Sequence, residues 1–205
     1  MIDFPKSLGD ETIRRQRFAM LDQPHIGNFT ALVKEIRRQE GFSEEVPYFD
    51  PMDGGAAARV LFLLEAPGLK AVQSGFVSRN NPDETAKNMF LALQDAALPR
   101  NATVLWNIVP WYLGSGSKIR PAGARDIEDG KAYVPRLLEL LPMLKVVALV
   151  GRKAQRIGAW LASSANHRFK VLDVPHPSPL FVNNRPGNRD LLLKSILTVR
   201  QSISH

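Results

Sequence analysis

Arg59-Val60-Leu61-Phe62-Leu63-Leu64-Glu65-Ala66-Pro67-Gly68 is an unbroken apolar run that stops at a polar, Pro/Gly turn. Continuous rather than alternating hydrophobicity is the mark of a strand whose sheet is covered on both faces. Thr103–Val109, Lys145–Val150 and Phe169–Asp173 repeat the pattern further along. Helical periods separate them. Ala86, Met89, Phe90, Leu93 and Ala97 recur at helical spacing after the first strand. Ala124–Leu141 follows the second and contains Pro135, which must kink or split it. Arg152–Ser163 follows the third, and Asn188–Ser202 closes the chain. Strands alternating with helices predict an α/β protein, a three-layer α/β/α sandwich around a four-stranded parallel sheet.

Around this frame, residues 1–45 read as a helical lead-in, with Asn28 capping a helix that runs to Glu40 and stops at Gly41. Residues 42–58 and 66–80 read as loops. Asn81 is the expected N-cap of the helix after the first strand, with Pro82 in its first position and Glu84 closing a capping box. A Gly/Ser/Lys loop runs to residue 120. The expectation is a single domain over residues 1–205, as a monomer.

Of the 205 residues, 44% are apolar and 23% charged, ordinary values for a globular protein. No apolar run approaches the roughly 18 residues of a membrane span, and residues 1–7 lack the layout of a secretory signal. With no cysteine, disulfides, thiolate metal sites and Fe–S clusters are excluded. The reading is a cytoplasmic, nucleoid-associated protein without cofactor or metal. The net charge of +7 is concentrated. Arg152, Lys153, Arg156, Arg168, Lys170, Arg185, Arg189, Lys194 and Arg200 face only Asp173 and Asp190, so residues 151–205 carry the whole excess. Such asymmetry suits a nucleic-acid footprint, and equally a solvated basic surface.

Three strand ends carry unusual residues: Glu65-Ala66-Pro67-Gly68, Asn107, and the loop Pro175-His176-Pro177-Ser178-Pro179-Leu180. Open α/β sheets bind ligands just beyond the carboxyl ends of their strands, so the three point to one site. Together, in this order, they resemble the uracil-DNA glycosylase superfamily over roughly residues 59–185. The thermostable branch carries Gly-Glu-Ala-Pro-Gly where this chain has Leu64–Gly68, agreeing at four of five positions. His176–Leu180 matches the last motif of the classical uracil enzymes letter for letter.

The resemblance implies hydrolysis of the N-glycosidic bond of uracil, or a related deaminated base, in DNA. An enzyme acting on a base must take it out of the stack and read its Watson–Crick edge. Asn107 offers a donor and an acceptor that suit uracil and not cytosine; on its own it is more readily an Asn that caps or bridges loops at a strand end, and its companions reverse that reading. His176 is proposed to donate to the departing base, stabilising its negative charge without itself being cationic; a loop His held by backbone is the commoner fate. Ser178 is expected to grip a phosphate. Leu180, with Pro177 and Pro179 before it in the same DNA-facing loop, is expected to enter the space left by the base, with Phe181 and Val182 extending an apolar tip. Arg185 and Arg189 lie where they would touch the backbone. Pro67 and Gly68 shape the first turn, and Phe76 either stacks on the base or anchors its loop in the core.

Departures accompany the match. Classical enzymes place an Asp, and mismatch-type enzymes an Asn, one residue before the motif proline, where the side chain handles the attacking water. Here that position is Ala66. Glu65 precedes it and, with regular strand alternation, would point the other way. The thermostable branch holds an Fe–S cluster through four cysteines, and this chain has none. The alternatives are a non-catalytic DNA or damaged-base reader on the same fold and, more distantly, a nucleoside hydrolase.

Overall fold

The computed structural model describes residues 3–42, 45–115, 118–164 and 168–204. Its strands are β1 (Tyr48–Phe49), β2 (Val60–Leu64), β3 (Phe76–Val77), β4 (Thr103–Asn107), β5 (Gly114–Ser115), β6 (Lys118–Ile119), β7 (Val146–Val150) and β8 (Lys170–Val174). Four of them form the expected all-parallel sheet, in the order β4-β2-β7-β8. Every residue of β4 and β7 is buried, as is β2 up to Leu63, which is why these strands are continuously apolar. β8 is an edge strand and correspondingly mixed, with Lys170 and Asp173 exposed.

The helices are α1 (Glu11–Phe18), α2 (Gly27–Glu40), α3 (Leu69–Ser74), α4 (Glu84–Asp95), α5 (Ala124–Lys131), α6 (Val134–Glu139), α7 (Arg152–Gln155), α8 (Gly158–Ser164), α9 (Pro179–Val182) and α10 (Asn188–Gln201). Right-handed crossovers send α4 to one face, where α10 packs beside it. The other face carries α5 to α8, with the Lys131 ammonium 5.2 Å from the Trp160 ring centre. None of the described helices is long and apolar enough to cross a membrane.

Several boundaries differ from the sequence expectations. The two loops at 42–58 and 66–80 each contain a short strand, and these pair in parallel, Tyr48 with Phe76 and Phe49 with Val77. That ribbon covers the β4 edge, the Phe49 ring stacked on Trp106 at 3.7 Å between centroids. The loop to residue 120 contains the hairpin β5–β6. Pro135 splits its helix into α5 and α6, sitting in the first turn of the second piece, where its missing N–H costs nothing. The helix after β7 also divides, into α7 and α8. Ile26, not Asn28, precedes α2. The cap of α4 is Asp83 rather than Asn81, its carboxylate accepting from the Ala86 amide at 2.8 Å.

Candidate functional site

All four sheet strands point their carboxyl ends the same way, and there a cavity of about 610 Å³ opens. Glu65, Ala66, Pro67, Gly68, Asn107, His176 and Pro177 all line it, so the three strand ends singled out above do converge. The register explains this. Leu64 pairs with Asn107, and two further bonds extend the contact past the strand ends, Ile108 N–H to Leu64 O at 2.8 Å and Val109 N–H to Glu65 O at 3.0 Å. Because β2 ends at Leu64, the chain bends and strict alternation stops, so Glu65 and Ala66 both reach the cavity.

Asn107 is 3% exposed. Its amide Nδ2 is one of five buried side-chain polar atoms without a partner among the described residues, and the only one belonging to a cavity-lining residue. A buried donor left unpaired costs about 1–3 kcal/mol, a deficit that a ligand acceptor would remove.

His176 follows β8 across a close approach to Gly151. There φ is +85°, and a Cβ would stand 3.1 Å from the His176 side chain, so only glycine fits without displacement. The Ser178 amide donates to His176 Nδ1 at 3.2 Å. In the neutral ring the proton therefore sits on Nε2, leaving one N–H donor for the cavity. Burial lowers the imidazole pKa below its ordinary value, against the opposing pull of Glu65 and Asp83. Pro177 is latched to α4 by Asn88, whose Nδ2 donates to the Pro177 carbonyl at 2.9 Å.

Glu65 is committed elsewhere. Its Oε1 accepts from the Ala122 amide at 2.6 Å, while Lys153 Nζ donates to the Ala122 carbonyl at 2.6 Å. The two side chains clamp Ala122, the residue that follows the wall formed by Ile119, Arg120 and Pro121. This makes Glu65 a brace beside the wall, and its charge opposes the lowering of the His176 pKa by burial.

Phe76 is a correction. Its side chain is fully buried and absent from the cavity lining, with its ring centroid 4.6 Å from that of Phe18. Leu8, Ile13 and Leu21 complete this small separate core. The cavity instead has aliphatic walls, including Val77, Met89 and Leu105. Ser178 heads α9 and does not line the cavity. Leu180 is 88% exposed, whereas Val182 is buried and Phe181 half-buried against the main core, so the apolar tip reduces to Leu180 and Pro179 beside it. Arg185 and Arg189 are exposed, with no ion pair among the described residues. Part of the basic excess is structural: Arg168 donates to the Leu138 and Leu141 carbonyls, Lys153 to Ala122 and Arg200 to Ala96.

The cavity also holds polar groups that the motifs did not announce. Asn81 uses both ends of its amide, accepting from Ser74 Oγ at 2.7 Å and donating to the Phe76 carbonyl at 2.9 Å. Ser78 donates to Asp50 and accepts from the Asn80 amide. Arg120 is held by both carboxylate oxygens of Asp126 at 2.6 and 2.8 Å. Asp83 is half-buried, and burial pushes its carboxyl above the ordinary 3.8, against the lowering effect of the Ala86 and Thr85 amides.

The sequence model of the family described as the uracil DNA glycosylase superfamily matches residues 51–198. No curated protein shows a significant match. Among solved structures, the solution NMR structure of a Methanosarcina acetivorans protein, provisionally named a uracil DNA glycosylase, is similar at 15% identity and a TM-score of 0.40. That likeness covers 71% of this chain and 92% of that one.

Proposed function

Since this chain belongs to the uracil DNA glycosylase superfamily, we propose that it hydrolyses the N-glycosidic bond of uracil, or a related deaminated base, in DNA. The observation that carries this reading is the unpartnered Asn107 amide in the same cavity as the Nε2–H of a neutral His176. Breaking the bond between the sugar C1′ and the base nitrogen leaves positive charge on the sugar and sends the electron pair out with the base. Asn107 would read the base edge, and His176 would donate to the base oxygen as negative charge collects there. The oxygen of a water then bonds to C1′, leaving an abasic site. The burial of Asn107 and half-burial of His176 strengthen their effect on the developing charge.

The surface supports a DNA substrate. Leu180, at 88% exposure, stands on the loop that bears His176, placed to enter the stack when a base leaves it. Replacing Leu180 by alanine is expected to slow cleavage of duplex substrate about tenfold, roughly 1.4 kcal/mol, and to leave single-stranded substrate nearly unaffected. Equal losses on both substrates would remove the wedge role. Arg185 and Arg189, exposed and without an ion pair among the described residues, suit backbone contacts. Each alanine variant is expected to lower the slope of log affinity against log salt by about one, read from binding titrations at several salt concentrations.

Ala66 favours a second reading, a DNA reader that binds the lesion without cutting, because the first turn supplies no polar side chain of its own at that point. Single-turnover cleavage of labelled oligonucleotides separates the two. The substrates carry one uracil, single-stranded or opposite G or A, with protein in excess. Abasic-site formation supports hydrolysis. Salt-sensitive binding without cleavage moves the protein to the second reading.

A further inference from the structure

Ala66 gives the first turn no polar side chain for the attacking water, and Glu65 spends its Oε1 on the Ala122 amide, bracing the neighbouring segment. The other polar side chains of the cavity are also engaged. Ser78 is held by Asp50, Asn81 by Ser74 and Phe76, Arg120 by Asp126, and Lys70 by Gln73. Thr85 cannot serve as a base near neutral pH. Asn107 and His176 belong to the base side of the reaction. Asp83 remains.

Asp83 lines the same cavity as His176, from the N-cap position of α4. Its Oδ1 accepts from the Ala86 amide, which fixes the carboxylate in place. Among the described residues no cation forms an ion pair with it. A carboxylate has about four lone-pair positions, so the helix bond leaves acceptor capacity for a water. The second, independent sign of a ligand in this cavity is the buried, unpartnered Nδ2 of Asn107.

Resting on the glycosylase reading, we propose that Asp83 binds the attacking water and takes its proton, so that in this chain the role falls to the start of α4 instead of the turn after β2. The step balances. The C1′–N bond breaks with its electron pair leaving on the base, the water oxygen bonds to C1′, and the water proton passes to Asp83 and from there to solvent. Burial raises the Asp83 carboxyl, which makes it a better base than an exposed aspartate. The titratable groups facing it are Lys6 from the N-terminal segment, Glu84 on its own helix and His176 after β8.

Asn and Ser both cap helices about as well as Asp, so D83N and D83S keep the cap and remove the base. Each is expected to slow single-turnover cleavage of uracil-containing DNA about a hundredfold, with affinity for the same DNA and the thermal midpoint unchanged. The acid limb of the parent's pH–rate profile, where activity falls as Asp83 is protonated, should be absent from D83N. Parent-like rates in either variant, or losses of rate matched by losses of binding or stability, overturn the assignment and return Asp83 to a helix cap. A parent that cuts no substrate overturns the glycosylase reading itself, and the Asp83 role with it. A cutting parent with parent-like variants overturns Asp83 alone.

Discussion

His176→Ala lowers the single-turnover cleavage rate about 10²–10³-fold, the usual loss for one preorganised donor to a developing anion. Asn107→Ala lowers it by a similar factor, and binding of undamaged DNA changes little in either variant. The argument is geometric. His176 Nδ1 is occupied by the Ser178 amide, so the ring presents one fixed N–H, and the prolines on both sides hold its loop. Asn107 is buried with a donor that none of the described residues satisfies. The sign of the pH effect follows from burial, which depresses the imidazole pKa below 6.5. The ring is therefore already neutral above that value, and the His176→Ala defect should stay constant from roughly pH 7 upward. Protonation below the depressed value would take away the acceptor that the Ser178 amide needs and disturb the loop. Rates measured from about pH 5.5 to 8.5 check this. A defect that grows steadily with acidity across the neutral range would mean an imidazolium acts instead.

The site was legible where it depends on strand ends, and illegible where it depends on contacts distant in sequence. Continuous apolar runs made β2, β4 and β7 visible, and parallel pairing forces their carboxyl ends together, so Glu65, Asn107 and His176 had to meet. Phe76 is a different case. Its ring direction is set by Phe18, far earlier in the chain, and by Gly75 at φ +82°, where a Cβ would lie 2.4 Å from the Phe18 ring. Two-residue strands such as β1 and β3 carry no periodicity to read. Asn81 and Asp83 flank Pro82, and either could have capped α4 by local rules. Ser74 and Phe76 decide between them by engaging both ends of the Asn81 amide, which leaves the cap to Asp83. Charge counting likewise could not foresee that Arg168, Lys153 and Arg200 serve backbone carbonyls.

Asp50→Ala destabilises the fold by about 3–5 kcal/mol, the range for breaking a buried ion pair and leaving its partner uncompensated. In a chain of this size that lowers the thermal midpoint by roughly 6–20 °C. The lead-in helix α1 brings Arg17, fully buried, against Asp50, which is itself fully buried. Arg100 reaches the second Asp50 oxygen at 2.7 Å and Asp53 at 3.0 Å, and also pairs with Asp3. Removing Asp50 strands Arg17 with no carboxylate of its own. It also frees Ser78, whose hydroxyl donates to Asp50 and which lines the cavity, so the variant should lose some activity even where it remains folded. Burial pushes the Asp50 carboxyl up, but Arg100, Arg17, Ser78 and the Met52 amide outweigh it and hold it below the ordinary 3.8. A depressed carboxyl contributes stability that is complete above the unfolded value and fades as pH falls through the folded one. Asp53 works against this, since burial dominates there and lifts its carboxyl despite Arg100 and Arg79. The gap between parent and variant midpoints should therefore be widest near neutral pH and narrow below about pH 4. Thermal melts at pH 7 and pH 3.5 measure both quantities. A neutral-pH midpoint within about 2 °C of the parent would mean that Asp53 alone neutralises the arginines, and that the N-terminal segment is held by its apolar contacts through Leu8, Ile13 and Phe76.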